Sequence, residues 1–87
     1  MSTQPHIKIY SSAWCPFCIR AKQLLDSKGV QYEELVVDSK PALRKEMTEL
    51  CGRTSVPQIW IGETHVGGCD DLYALEQGKK LDALLTN

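Results

Sequence analysis

The sequence lacks most of what would tie it to a membrane, to nucleic acid or to a structural metal. No apolar run approaches the roughly 18 residues of a membrane span. No charge of one sign dominates: ten basic and eleven acidic residues give a net charge of −1, mixed along the chain. That balance offers no electrostatic case for nucleic acid or an anionic membrane as partner. The opening residues Met1-Ser2-Thr3-Gln4-Pro5 have neither the basic nor the apolar region of a signal peptide, so the expected compartment is a reducing cytoplasm. There are no repeats, no linkers and no low-complexity segments. A second C-x-x-C and an H-x3-H pair are also missing. Cys51 and Cys69 stand alone, and His6 and His65 do not form a pair. A zinc site would need such partners, so no metal is expected.

What is present centres on Ala13-Trp14-Cys15-Pro16-Phe17-Cys18. Upstream, His6 to Tyr10 alternates like a strand and carries the β-branched residues Ile7 and Ile9. Downstream, Pro16 to Lys28 reads as a helix with proline in its first turn. Cys15 then falls near the N-cap and Cys18 about one turn in. The unsatisfied N–H groups and the positive end of the helix dipole face Cys15. Its thiolate is expected to be stabilised, with a pKa below the roughly 8.5 of free cysteine. A low-pKa thiolate is also expelled easily from a mixed disulfide, which suits reversible exchange. A structural disulfide is the poorer reading, because so short a loop constrains the unfolded chain little. From the residues alone this is a dithiol redox site, Cys15 as nucleophile and Cys18 as resolving thiol.

At 87 residues and 43% hydrophobic content, one domain spanning residues 1–87 is expected. In the first helix Phe17, Cys18, Ala21, Leu24 and Leu25 form the expected buried stripe, and Gly29 stops it. Gln31–Val37 reads as a second strand, reached by a right-handed parallel crossover. Ser39 can cap and Pro41 can open a second helix to about Leu50, with Leu43 and Met47 inward and Leu50 following at the next turn. A third strand begins at Val56 or Pro57 and runs to Ile61. Gly62-Glu63 turns it into a fourth, Thr64–Val66. Gly67-Gly68 breaks that strand, Cys69–Gln77 is a third helix with Asp70 and Asp71 in its first turn, and Lys79–Leu85 a last short one. The fold class is α/β, a four-stranded mixed sheet flanked by helices in the order βαβαββα plus a short C-terminal helix.

Three separated motifs now agree. Cys15-Pro16-Phe17-Cys18 follows a strand, Thr54-Ser55-Val56-Pro57 precedes one, and Gly67-Gly68-Cys69-Asp70-Asp71 opens a helix. Together, over roughly Ile7 to Leu85, the chain resembles a dithiol glutaredoxin. The resemblance implies a thioredoxin-like fold, a single glutaredoxin-like domain, and reduction of protein disulfides and glutathione mixed disulfides. It further implies glutathione as co-substrate with no tightly bound cofactor, disulfide-containing or glutathionylated proteins as partners, and a monomer. The proline matching Pro57 is cis in that family. If so here, Val56 N–H and C=O can pair with the backbone of the glutathione cysteine. Gly68 lets the chain turn close to the ligand, and the N–H groups near Cys69 and Asp70 form an anion site for the γ-glutamyl carboxylate. Asp71, with Asp70 beside it, can accept from the γ-glutamyl ammonium, or both acids merely stabilise the helix start. Arg53 can face the glycyl carboxylate, with Ser55 and Phe17 completing the site.

The sequence departs from the family in three places. Ser12 stands where many members have lysine, Phe17 replaces the commoner tyrosine, and Trp14 sits beside the nucleophile. Outside the motif, Cys69 is expected to be a small buried hydrophobe, Cys51 an inert thiol, and His65 a solvent-facing side chain. Two rivals remain at this stage. One is a dimeric module binding an iron–sulfur cluster through Cys15 and glutathione, against which Pro16 argues. The other is a thioredoxin-like enzyme served by a flavoprotein reductase.

Overall fold

A computed structural model describes residues 5–85. Residues 1–4, part of the stretch read above as lacking a leader, lie outside the described residues. The order is β1 (Ile7–Ser11), α1 (Pro16–Ser27), β2 (Glu33–Val36), α2 (Pro41–Cys51), β3 (Gln58–Ile61), β4 (Thr64–Gly67), α3 (Cys69–Gln77) and α4 (Leu81–Leu85). The four strands form one mixed sheet in the order β2-β1-β3-β4. β1 and β2 run parallel across the α1 crossover, whereas β1–β3 and β3–β4 are antiparallel.

Side-chain alternation along the central strands sorts the core into two faces. Ile7, Ile9, Ile59 and Ile61 join Ala21, Leu24, Leu25 and Leu72 in the larger cluster. Tyr10, Val37 and Met47 form the smaller one, with Leu35, Val56 and Trp60 packed against it. Tyr10 lies opposite Gln58, and Trp60 opposite His65. Residues 10, 58, 60 and 65 therefore share the face that α2 covers. The Tyr10 hydroxyl donates to Glu46 on α2, which strengthens that thin contact.

Some local expectations are corrected. β1 starts and ends one residue later than the alternation suggests, and β2 is shorter at both ends. The N-cap of α2 is Lys40, with no side-chain cap bond. Ser39 instead sits at φ 58° in the turn before it, so its backbone is unavailable as a cap. Leu50 is exposed and Leu43 only partly buried, leaving Met47 as the buried residue of α2. Phe17 is half exposed rather than part of the buried stripe. It lies in the first turn of α1, beside the fully buried Cys18.

The end of β1, the start of β3 and the end of β4 meet at one edge of the sheet. The three motifs lie there, because each is the loop or helix start attached to one of those strand ends.

Candidate functional site

Cys15 is the N-cap of α1, in extended geometry (φ −101°, ψ 113°), with Pro16 opening the helix. The bend brings the Cys18 N–H onto Cys15 Sγ at 3.3 Å. This is an N-cap bond with sulfur in place of the usual oxygen, and its donor is one of the four orphan N–H groups of the helix start. On its other side Cys15 Sγ lies 3.7 Å from Val56 O. The protonated sulfur thus has an acceptor and the anionic sulfur a donor. Cys15 is part exposed.

Cys18 differs in its burial. It is fully buried on the helix face that carries Ala21 and Leu25. Burial pushes its thiol up to about 12, even though the Ser12 N–H donates to its sulfur at 3.4 Å and favours the anion. The loop between β1 and α1 is clamped by Asp38, whose carboxylate accepts from Ser12 Oγ at 2.7 Å and from the Ala13 N–H at 2.8 Å. Those two bonds hold the Asp38 carboxyl below the usual aspartate range.

Beside Cys15 opens a shallow cleft of about 210 Å³, lined by Phe17, Arg53, Ser55, Val56, Pro57, Gln58, Gly68, Cys69, Asp70 and Asp71. Every residue expected at the glutathione site, Cys69 included, is brought to this one cleft, whereas Ser12, Trp14 and His65 are not among its lining. The Val56–Pro57 peptide is cis, as the resemblance implied. Gly67 has φ +114°, a conformation that favours glycine. A Cβ there would lie 2.2 Å from Asp71 Oδ2. The space goes to the Asp71 carboxylate, which accepts the Gly68 N–H at 3.0 Å and faces Arg53 Nη1 at 3.4 Å. The Gly68 N–H, then the Arg53 guanidinium, hold the Asp71 carboxyl low. Asp71 therefore serves the helix start and also lines the cleft.

Gln58 is the lining residue that sequence reasoning missed. It is 1% exposed, and its Nε2 donates to Ser55 O at 3.1 Å while its Oε1 lies 2.8 Å from His65 Nε2. The available signal was a polar residue directly after proline in a strand otherwise apolar. His65, expected to face solvent, is partly buried with its ring 4.7 Å from that of Trp60. Trp14, at 88% exposed, stands clear of the surface next to Cys15. Cys69 is buried beside the cleft, and burial raises its thiol. Cys51 Sγ accepts the Arg53 N–H at 3.4 Å, away from the α1 N-terminus. Among the described residues no three His, Cys, Asp or Glu side chains gather to hold a metal ion.

The glutaredoxin family model matches residues 7–66. A glutaredoxin of Pseudomonas aeruginosa is 65% identical over 82 residues, covering 94% of this chain and 98% of that protein. The solution structure of a glutaredoxin from Brucella melitensis superposes with a TM-score of 0.86 at 50% identity, covering 98% of this chain and 92% of the other. The crystal structure of a buckwheat glutaredoxin–glutathione complex superposes with a TM-score of 0.87 at 30% identity, covering 98% and 79%. These chains share the thioredoxin-like fold described above.

Proposed function

The chain belongs to the glutaredoxin family and is a glutathione-dependent thiol–disulfide oxidoreductase; from that premise we propose how its residues divide the work. Cys15 is the nucleophile, Cys18 the resolving thiol, and the cleft beside them the seat of glutathione. The observation that carries this reading is the contrast between the two sulfurs: Cys15 part exposed with an N–H at 3.3 Å, Cys18 buried and held protonated.

With a glutathionylated protein, the Cys15 thiolate attacks the glutathionyl sulfur. The substrate disulfide breaks, a Cys15–glutathione disulfide forms, and the protein leaves as a thiolate that takes up a proton. A second glutathione, as its thiolate, attacks the glutathionyl sulfur and releases glutathione disulfide and the Cys15 thiolate. With an intramolecular protein disulfide, Cys15 forms a mixed disulfide with one substrate sulfur. Cys18 then loses its proton, attacks Cys15 Sγ and expels the substrate as a dithiol. Two glutathiones reduce the Cys15–Cys18 disulfide, themselves becoming glutathione disulfide. Burial keeps Cys18 protonated and so slows premature capture of the glutathionyl intermediate.

Recognition follows from the lining. Val56 offers backbone groups to the cysteinyl part of glutathione, in the manner of a short β-bridge. Gly68 lets the chain pass close to the ligand, and the start of α3, at Cys69 and Asp70, presents N–H groups to the γ-glutamyl carboxylate. Asp71 accepts from the γ-glutamyl ammonium, and Arg53 faces the glycyl carboxylate. Phe17, Ser55 and Pro57 shape the remaining wall. The chain acts as one domain and as a monomer on disulfide-containing or glutathionylated proteins. It needs no tightly bound cofactor, and neither nucleic acid nor a membrane is a partner. Its compartment is a reducing cytoplasm, where glutathione keeps both thiols reduced. No helix among the described residues is long and apolar enough to cross a membrane.

The experiment is a glutathione-coupled reduction of a small glutathione mixed disulfide, run on the wild type with glutathione disulfide reductase in excess. Turnover that rises with glutathione concentration is the expected result. Turnover only with a flavoprotein reductase acting directly on the protein would overturn the reading.

A further inference from the structure

We propose that His65 is a positioning residue for the wall of the cleft that meets glutathione, acting through Gln58 on the Ser55–Pro57 segment; this rests on the reading of that cleft given above. His65 is on β4 and does not itself line the cleft. Its effect travels through two hydrogen bonds.

A buried amide must place both its ends within the protein. Gln58 Nε2 lies 3.1 Å from Ser55 O and 3.5 Å from Ser55 Oγ. A carbonyl can only accept, so the NH2 end of Gln58 must point there. The Oε1 end then requires a donor, and His65 Nε2 at 2.8 Å supplies it. This fixes the imidazole as the Nε2–H tautomer. Burial, followed by the nearby Arg53 guanidinium, lowers the pKa of His65, with Asp71 acting in the opposite sense. The ring is therefore neutral at neutral pH.

The imidazole has its own support. Its ring lies tilted at 37° against Trp60, 4.7 Å away, and Trp60 meets Tyr10 edge-on at 5.4 Å. Trp60 and His65 are direct partners across β3 and β4. The sheet thus fixes the imidazole, the imidazole fixes the Gln58 amide, and the amide fixes the Ser55 carbonyl. The next residue is Val56, whose carbonyl oxygen stands 3.7 Å from Cys15 Sγ. Removing the His65 donor leaves Gln58 Oε1 buried without a partner. The amide can then recover a partner only by turning, which releases Ser55 O.

Two substitutions separate the donor from the ring. His65→Phe keeps a ring against Trp60 and removes the N–H. His65→Gln removes the ring and restores an N–H donor at similar reach. The expected result is a rise of about three- to tenfold in KM for a glutathione mixed disulfide with His65→Phe, the scale of one neutral hydrogen bond. The change in kcat should be less than about twofold, and His65→Gln should recover most of the loss. Carboxamidomethylation of Cys15 by iodoacetamide, which touches the wall only through Val56 O and needs no seated glutathione, should change much less than KM. A KM within twofold of wild type for His65→Phe overturns the proposal. So does an equal loss in both variants that follows their Tm, which is the signature of sheet packing alone. If His65→Phe does not fold, the wild type carries the test. In the histidine-labelled protein the His65 nitrogens should report the Nε2–H tautomer and shift on titration with glutathione disulfide. The Nδ1–H tautomer, or resonances that do not move although binding is seen elsewhere, would refute it. Wild-type protein that fails to turn over any glutathione mixed disulfide would instead refute the functional reading of the cleft.

Discussion

The two ends of the cleft are built on different principles. At the sulfur end the contacts come from backbone groups and from burial: the Cys18 N–H, Val56 O, the Ser12 N–H and the apolar bed around Cys18. At the far end they are charged and open to water. Arg53 and Asp71 face each other there with about half of each side chain exposed. A buried group has no water to replace a lost partner, whereas an exposed ion pair is worth only about 0–1 kcal/mol. Chemistry placed at the buried end should therefore fail as a whole, and recognition at the exposed end should fail by degrees.

The sharpest break in that comparison is at the sulfurs. Cys15→Ser should abolish both deglutathionylation and protein-disulfide reduction. Cys18→Ser should keep the first, which needs one protein sulfur, and abolish or strongly slow the second. Both assays on both variants, with alkylation rates measured across pH, test the assignment. Deglutathionylation that survives Cys15→Ser would falsify it.

Gly67→Ala joins the two ends. The new Cβ would overlap Asp71 Oδ2 at a backbone φ of +114°. The expected cost is roughly 1–3 kcal/mol of stability, visible in a urea midpoint, with a higher KM for glutathione mixed disulfides. A variant as stable as the wild type would show that the carboxylate moves aside freely.

Asp71→Ala should do less: a rise in KM of up to about fivefold, diminishing as salt is added. Alkylation of Cys15 should be nearly unchanged, because the carboxylate meets the ligand and not the sulfur. Kinetics that do not respond to this substitution at any glutathione concentration would return Asp71 to its helix-start role.

The smallest effect is on acid stability, and it falls in two windows. His65 has a lowered pKa, so the unfolded chain binds its proton more readily than the folded one. Its share of stability is complete above the ordinary histidine value of about 6.5 and declines as pH falls below it. Asp71, Asp38 and Glu34 also have lowered values. Their contribution is present above the ordinary carboxylate range near 4 and is lost as pH falls through the lower folded values. Urea midpoints between pH 7 and 3 should fall in these two steps, and His65→Gln should remove the first.

Much of this architecture was legible in the sequence because it is written in local patterns. β1, α1 and α2 follow from the alternation of Ile7 and Ile9, the helical spacing of Ala21, Leu24 and Leu25, and prolines 16 and 41 at helix starts, while Pro57, Gly62-Glu63 and Gly67-Gly68 mark off β3, β4 and α3. Three motifs at strand ends were enough to assemble the cleft once the strands were known to converge. The features that escaped are those decided between elements. Phe17 keeps helical spacing with Ala21 yet is half exposed, because it lines the open cleft while its neighbour Cys18 takes the buried position of the first turn. His65 looked like an outward residue of a short strand until β3 set Trp60 opposite it. Ser39 has the chemistry of a cap, but its positive φ gives that position to Lys40. Gln58 is read correctly only when Ser55 O and His65 are both in place.

The exposure of Trp14 has a practical consequence. The protein carries two tryptophans, one 88% exposed next to the nucleophile and the other packed between Tyr10 and His65. Trp14 should emit at the longer wavelengths of hydrated indole and be open to collisional quenching by iodide, while Trp60, partly buried, should be quenched less. A group attached to Cys15 is carried by the residue next to Trp14, so each turnover should alter the readily quenched part of the emission more than the part from Trp60. The fold thereby supplies its own optical reporter with an internal reference, and Trp14→Phe should silence the signal.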